Sequence, residues 1–227
     1  MKASLLLKFN IPLLKINGEI FMNNQENILT LKTSDKINYY KSNFLIKIAF
    51  SFAFAVTMAI SANIFLYIPV TPVPITLQTL TVLLSGIFLG SKFASLSQIQ
   101  YLLLGITGFP VFAGFKSGIN VLFGPTGGYL IGFIFAAYIT GYIFENFGNY
   151  NKNKIYLSLI ACLSGLLIIY LSGFIHLFFY LYCIIGKPEL KFLALKTFNL
   201  AVKPFILVEF IKLFIIIDLA SVLNNKH

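Results

Sequence analysis

The residues best able to do chemistry stand three apart. They are Glu209 and Lys212, in the run Pro204-Phe205-Ile206-Leu207-Val208-Glu209-Phe210-Ile211-Lys212 near the C-terminus. Positions i and i+3 share a helix face, so the two charges can pair and point together. Their surroundings are apolar, and a charge at the centre of a membrane helix costs about 2.5 to 3.5 kcal/mol on insertion scales. Two charges on one span therefore mark either a polar cavity or a self-neutralising pair near the membrane surface; intramembrane ionisable groups are by default site candidates. Three more features could join them. Gln78 follows a proline-rich stretch, and Lys116 is the one charge within the glycine-rich segment 109–125. Gly124-Pro125-Thr126-Gly127-Gly128-Tyr129 is a turn leading into a helix start. Unpaired N–H groups and the positive dipole end at such a start suit a carboxylate; the same glycines could equally be a tight turn. Asp218 reads as interfacial and His176 as a packed or interfacial histidine.

Several chemistries are missing from the sequence. There is no GxxxxGK[ST] phosphate loop, so no ATP binding of that kind is expected. No nucleophile elbow, HExxH or clustered histidines occur, so neither catalytic residues nor a metal site is expected. Cys162 and Cys183 lie in apolar runs without a CxxC and read as small apolar residues.

The elements that must position these residues are membrane helices. Hydrophobic residues make up 58% of the 227 positions and charged residues only 11%, with a mean hydropathy of +0.88. A soluble domain uses roughly 25% charged residues to cover its surface; here lipid must do so. The net charge of +10 comes from 17 lysines and no arginine. No lysine cluster alternates with exposed aromatics, and nothing indicates a nucleic-acid partner.

Residues 49–68 form a charge-free stretch long enough to cross a hydrocarbon layer of roughly 30 Å. Pro69, Pro72 and Pro74 then forbid a continuing helix. A short second run covers 75–89 and a third 93–108. The fourth covers 128–147, and a polar linker separates it from the fifth, 155–185, which is long enough to tilt or break near Gly173. The last covers 200–223. The expectation is an all-α, polytopic membrane protein of about six transmembrane helices over 44–223, after a polar extension, 1–43, expected to be cytoplasmic and poorly ordered. Lys8 and Lys15 break any signal-peptide core there.

With six spans and cytoplasmic termini, lysines 2, 8, 15, 32, 36, 41, 47, 92, 152, 154 and 226 fall inside and 116, 187, 191, 196 and 203 outside. That bias favours this orientation, in a cell (plasma or inner) membrane. Small residues recur four apart at Gly114 and Gly118, Gly124 and Gly128, Gly128 and Gly132, and Ala55 and Ala59. Such pairs let helices approach closely in lipid. Ala55 and Ala59 could dock another subunit.

Four ordered blocks resemble one family: Pro72-Val73-Pro74-Ile75-Thr76-Leu77-Gln78-Thr79-Leu80; Tyr101-Leu102-Leu103-Leu104-Gly105; Gly108-Phe109-Pro110-Val111-Phe112-Ala113-Gly114; and Leu122-Phe123-Gly124-Pro125-Thr126-Gly127-Gly128-Tyr129-Leu130. Together they are similar to the BioY family, the biotin-specific S components of energy-coupling-factor (ECF) transporters. The resemblance covers about 44–223 and is densest over 72–141. It implies the six-helix S-component fold and high-affinity capture of biotin. It also implies a coupling membrane protein and two ABC-type ATPases as partners, which hydrolyse the ATP; no cofactor is bound by this chain itself. Ala55 and Ala59 match the family's docking face on the first helix.

The family's last helix typically reads Pro-Phe-x-x-Gly-Asp-x-x-Lys; here Glu209 replaces the Asp and Val208 the Gly. By resemblance, the acid accepts the ureido N–H groups of biotin and Lys212 donates to the ureido carbonyl. The carboxylate tail would lie toward the glycine-rich loop with Lys116 or the turn at Gly127, Gly128 and Tyr129, and Gln78 joins the site. Lys92 stands where relatives often carry a basic residue. The competing readings are an S component for a different vitamin and a membrane-embedded enzyme using Glu209 and Lys212 as acid and base.

Overall fold

A computed structural model describes residues 14–16, 19–21, 25–147, 154–186 and 188–224. The chain divides into two units, Met1–Ile46 and Lys47–His227. In the first, strands β1 (Leu14–Ile16) and β2 (Glu19–Phe21) pair antiparallel, with Leu14 opposite Phe21. Of the 1–43 extension expected to be poorly ordered, 1–13, 17–18 and 22–24 lie outside the described residues, and 25–43 belong to the helix that follows.

Helix α1 (Gln25–Asn63) supplies the first membrane element through its apolar part, Phe44–Asn63. A hairpin of β3 (Phe65–Leu66) and β4 (Ile75–Thr76) brackets the prolines that end it. Helix α2 (Gln78–Ile106) follows, then the one-turn α3 (Asn120–Phe123), α4 (Gly127–Phe147), α5 (Lys154–Ile185) and α6 (Leu190–Ala201). A 3-10 turn (Lys203–Phe205), with Pro204 in its first turn, leads into α7 (Ile206–Asn224). Among the described residues, four helices are long and apolar enough to cross a membrane: 44–63, 78–106, 127–147 and 155–185.

Helix α2 is really two. Gly90 has φ 75° and ψ 173° within it, a region nearly restricted to glycine. The chain folds back there: Gln78 Nε2 donates to the Tyr101 hydroxyl at 3.0 Å, whereas 23 residues of straight helix would span about 34 Å. Glu145, at the end of α4, holds the corner by accepting from the Ser91 amide at 3.0 Å and the Ser91 hydroxyl at 2.7 Å. A carboxylate at the start of the second arm also suits that arm's dipole. With α2 counted as two arms, the apolar helices 44–63, α4, α5 and α7 bring the number to six among the described residues. Helix α5 runs unbroken through Gly173, so the long fifth run does not break there.

Small residues let these helices close up. A Cβ on Gly128 would lie 2.3 Å from the His176 Cβ, and one on Gly132 3.0 Å from the Ser172 Cβ, so that four-residue pair packs α4 on α5. Gly114 and Gly118 instead have φ of 75° and 89° in a loop and make no helix pair.

The face carrying Ala55, Met58 and Ala62 is fully buried in the core, while Phe52, Val56 and Ile60 on the other side are exposed. Ala55, expected to dock a partner, is therefore turned inward, and Ala59 packs, partly buried, against the same core. The reason is periodicity: Ser51, Ala55, Met58 and Ala62 form the stripe facing α2. There Ser51 Oγ lies 3.1 Å from the Phe93 carbonyl and the Thr81 and Ser61 hydroxyls meet at 2.5 Å. Cys162 is buried, as expected of a small apolar residue, whereas Cys183 is exposed.

Candidate ligand-binding site

The Lys47–His227 unit holds a cavity of about 310 Å³, within the usual size range of small-molecule sites. The 69–74 loop contributes Pro72, Val73 and Pro74, and the start of α2 contributes Gln78 and Thr79. The loop after α2 covers it with Phe112, Lys116, Gly124, Pro125 and Thr126. Tyr129, Leu130 and Phe133 come from α4, Tyr170 from α5, Phe205 from the 3-10 turn, and Glu209 and Lys212 from α7. Most of this wall is apolar or aromatic, with a few polar groups.

Those polar groups are concentrated at Glu209 and Lys212, which are only 5% and 3% exposed. Lys212 Nζ sits 2.7 Å from Glu209 Oε1. It also donates to the Thr76 carbonyl at 2.7 Å and the Thr79 hydroxyl at 2.8 Å. An ammonium has three donors, so all three are used. Oε1 of Glu209 accepts further from Thr79 Oγ1 and from the Tyr170 hydroxyl, each at 3.0 Å. Its other oxygen, Oε2, is buried and has no hydrogen-bond partner. An unpaired buried acceptor on a charged group is costly, and it marks where an incoming donor would gain most.

Gln78 is buried and tied on both sides, accepting from the Thr76 hydroxyl at 3.1 Å and donating to Tyr101. Tyr101 in turn donates to the Val111 carbonyl at 3.2 Å, linking the α2 arms to the covering loop. That loop is pinned elsewhere. Phe112 and Lys116 exchange backbone hydrogen bonds at 3.0 and 3.2 Å, and Phe115, with φ 57°, donates its amide to Asn63 Oδ1 at 2.8 Å. Nε2 of His176 lies 2.9 Å from the Gly124 carbonyl, so this half-buried histidine braces the loop from α5. Lys116 keeps its exposed position at the cavity wall.

Of the residues expected to meet a ligand, Gln78, Lys116, Tyr129, Glu209 and Lys212 line the cavity. Gly127 and Gly128 do not; they are close-packing positions. A Cβ on Gly127 would strike the Leu122 carbonyl oxygen at 1.7 Å, and one on Gly128 would strike α5. Tyr129 contributes its ring, since its hydroxyl donates to the Ala201 carbonyl at 2.7 Å. Lys92 is exposed and does not line the cavity. Sequence reasoning missed Thr79, Tyr170 and Phe205. Thr79 adjoins Gln78 in a motif block and could have been found there; Tyr170, one aromatic in a charge-free run, carries no such signal.

Comparison with known proteins sets this geometry in context. The model of the BioY family matches residues 31–226. The chain belongs to the BioY family. A relative named biotin transporter BioY, from Thermotoga maritima, is 43% identical over 133 residues, covering 59% of this chain and 76% of the relative. A probable biotin transporter BioY from Pyrococcus horikoshii is 38% identical over 146 residues, 64% of this chain and 76% of the relative. Biotin transporter BioY2 of Lactococcus lactis is 38% identical over 151 residues, 65% and 74%. The crystal structure of the S component for biotin from an ECF-type ABC transporter superposes with a TM-score of 0.67 at 24% identity, covering 81% of this chain and 93% of that one. At that identity the match speaks for the fold. This member of the family is thus a multi-pass membrane protein with the S-component fold.

Proposed function

We propose that this chain binds biotin in the cavity and serves its uptake across the cell membrane as the substrate-specific subunit of an ECF transporter. The observation that carries the reading is the buried Glu209–Lys212 pair at the wall of a largely apolar cavity, in a chain of the BioY family. Biotin offers a neutral ureido head with N–H donors, an apolar thioether ring and an anionic tail. Glu209 supplies the acceptor for the head. Phe112, Phe133, Tyr129, Tyr170 and Phe205 supply the apolar wall, and Lys116 the cation for the tail. For Lys212 to reach the ureido carbonyl it would have to release one of its three partners. A free hydrogen on Gln78 Nε2 is the readier donor, because only one of its two is engaged.

The sequence carries no ATP-binding motif of its own, so ABC-type ATPases and a transmembrane coupling protein would supply the energy. The reading makes the chain a transport subunit with no enzymatic activity and no bound cofactor, its termini in the cytoplasm. The test is radiolabelled biotin binding to purified protein, with other vitamins as competitors. Saturable binding that only biotin displaces is expected; displacement by another vitamin instead would reassign the substrate.

A further inference from the structure

The Glu209–Lys212 pair presents an acceptor and no free donor. Every N–H of Lys212 is taken, and three donors converge on a single oxygen of Glu209, which has room for few more. Oε2 alone is left over. This asymmetry is not a property of the pair itself. A lysine bridging a carboxylate from i+3 leaves the carboxylate free to rotate; what stops it here is the two hydroxyls that come from other helices. Thr79 Oγ1 accepts from Lys212 at 2.8 Å and donates its own hydrogen bond to Oε1 at 3.0 Å, closing a three-membered ring of hydrogen bonds. Tyr170 adds a second clamp from α5 at 3.0 Å, and its ring is itself held edge-on by Tyr129, with centroids 6.1 Å apart.

We propose that Thr79 and Tyr170 are positioning residues that fix the Glu209 carboxylate so that one oxygen, Oε2, is offered to a neutral N–H donor of the ligand, with Lys212 acting through the carboxylate. The inference rests on the reading of the cavity as a biotin site and adds its specificity. A saturated ion pair with one acceptor open favours a neutral donor such as a cyclic urea N–H. It disfavours an anion, for which no donor on Lys212 is free.

The test uses the intact chain in detergent and measures biotin affinity for Thr79→Val, Thr79→Ser and Tyr170→Phe. Each variant is also titrated with biotin methylated on one or the other ureido nitrogen. Thr79→Val keeps the shape and removes the hydroxyl; a hydrogen bond to a charged group is worth enough that about a tenfold to hundredfold loss of affinity is expected. Thr79→Ser should restore most of it. In the wild type, methylating the nitrogen that meets Oε2 should weaken binding strongly, and that penalty should shrink in Thr79→Val and in Tyr170→Phe because the oxygen is no longer held. A merely structural role would lower affinity for every ligand alike and leave the penalty unchanged, and that result overturns the inference. So does Thr79→Ser falling as far as Thr79→Val. If Thr79→Val does not fold, Tyr170→Phe decides by the same penalty. A wild type that ignores biotin overturns the functional reading itself, and this inference with it; a wild type that binds biotin, with a methylation penalty that stays the same in Thr79→Val and Tyr170→Phe, overturns the inference alone.

Discussion

Gln78 and Tyr101 lie on the two arms of α2, on either side of Gly90, and their side chains hydrogen-bond at 3.0 Å. The turn that makes this contact is Gly90, and the contact places Gln78 and Thr79 at the cavity while the second arm runs back beside them.

Gly90→Ala should therefore destabilise the protein more than a surface change. A residue with a side chain in this backbone region costs on the order of 1 to 3 kcal/mol, and the new methyl would lie 1.8 Å from Glu145 Oε1. Thermal unfolding in detergent should show the loss, and Glu145→Gln should lower the melting temperature less.

Removing the cation should be worse than removing the pair. Lys212→Ala leaves the buried Glu209 charge without its partner, a defect worth about 3 to 5 kcal/mol, and biotin binding should fall below detection. The double variant Glu209→Gln with Lys212→Met should regain much of the stability without regaining binding. Unchanged affinity in Lys212→Ala would remove the pair from the site.

Lys116 should act on the ligand's tail alone. It is exposed, so its attraction to a carboxylate is screened and worth up to about 1 kcal/mol, roughly fivefold in affinity. Lys116→Ala should weaken biotin by that factor and leave biotinamide, which lacks the charge, unaffected in a competition assay.

Ala55→Leu should impair the isolated subunit itself. The residue is fully buried, and forcing extra methylenes into a packed core costs typically about 1 to 3 kcal/mol. Lower melting temperature and yield are expected before any partner is added, whereas Val56→Leu on the exposed face should leave both unchanged.

Much of this was legible in the residues. The charge-free runs and the prolines after residue 68 located the helices, and the spacing of Glu209 and Lys212 put both on one face. The four motif blocks named the family. Gly127, Gly128 and Ala55 were harder to assign, because they are small, and smallness looks the same whether a ligand, a partner or a neighbouring helix needs the room. Here the neighbouring helix does.

Composition by itself determined that the chain lies in a membrane, because the cost of putting a residue in lipid is incurred locally, position by position. Tertiary packing alone decided how the carboxylate is held. Thr79 and Glu209 are 130 residues apart and Tyr170 and Glu209 are 39 apart, and no local pattern encodes which hydroxyl will face which charge. That depends on the reversal at Gly90 and on the glycine faces that set α4 against α5, which fix distances to within a few tenths of an ångström only once the whole bundle has closed.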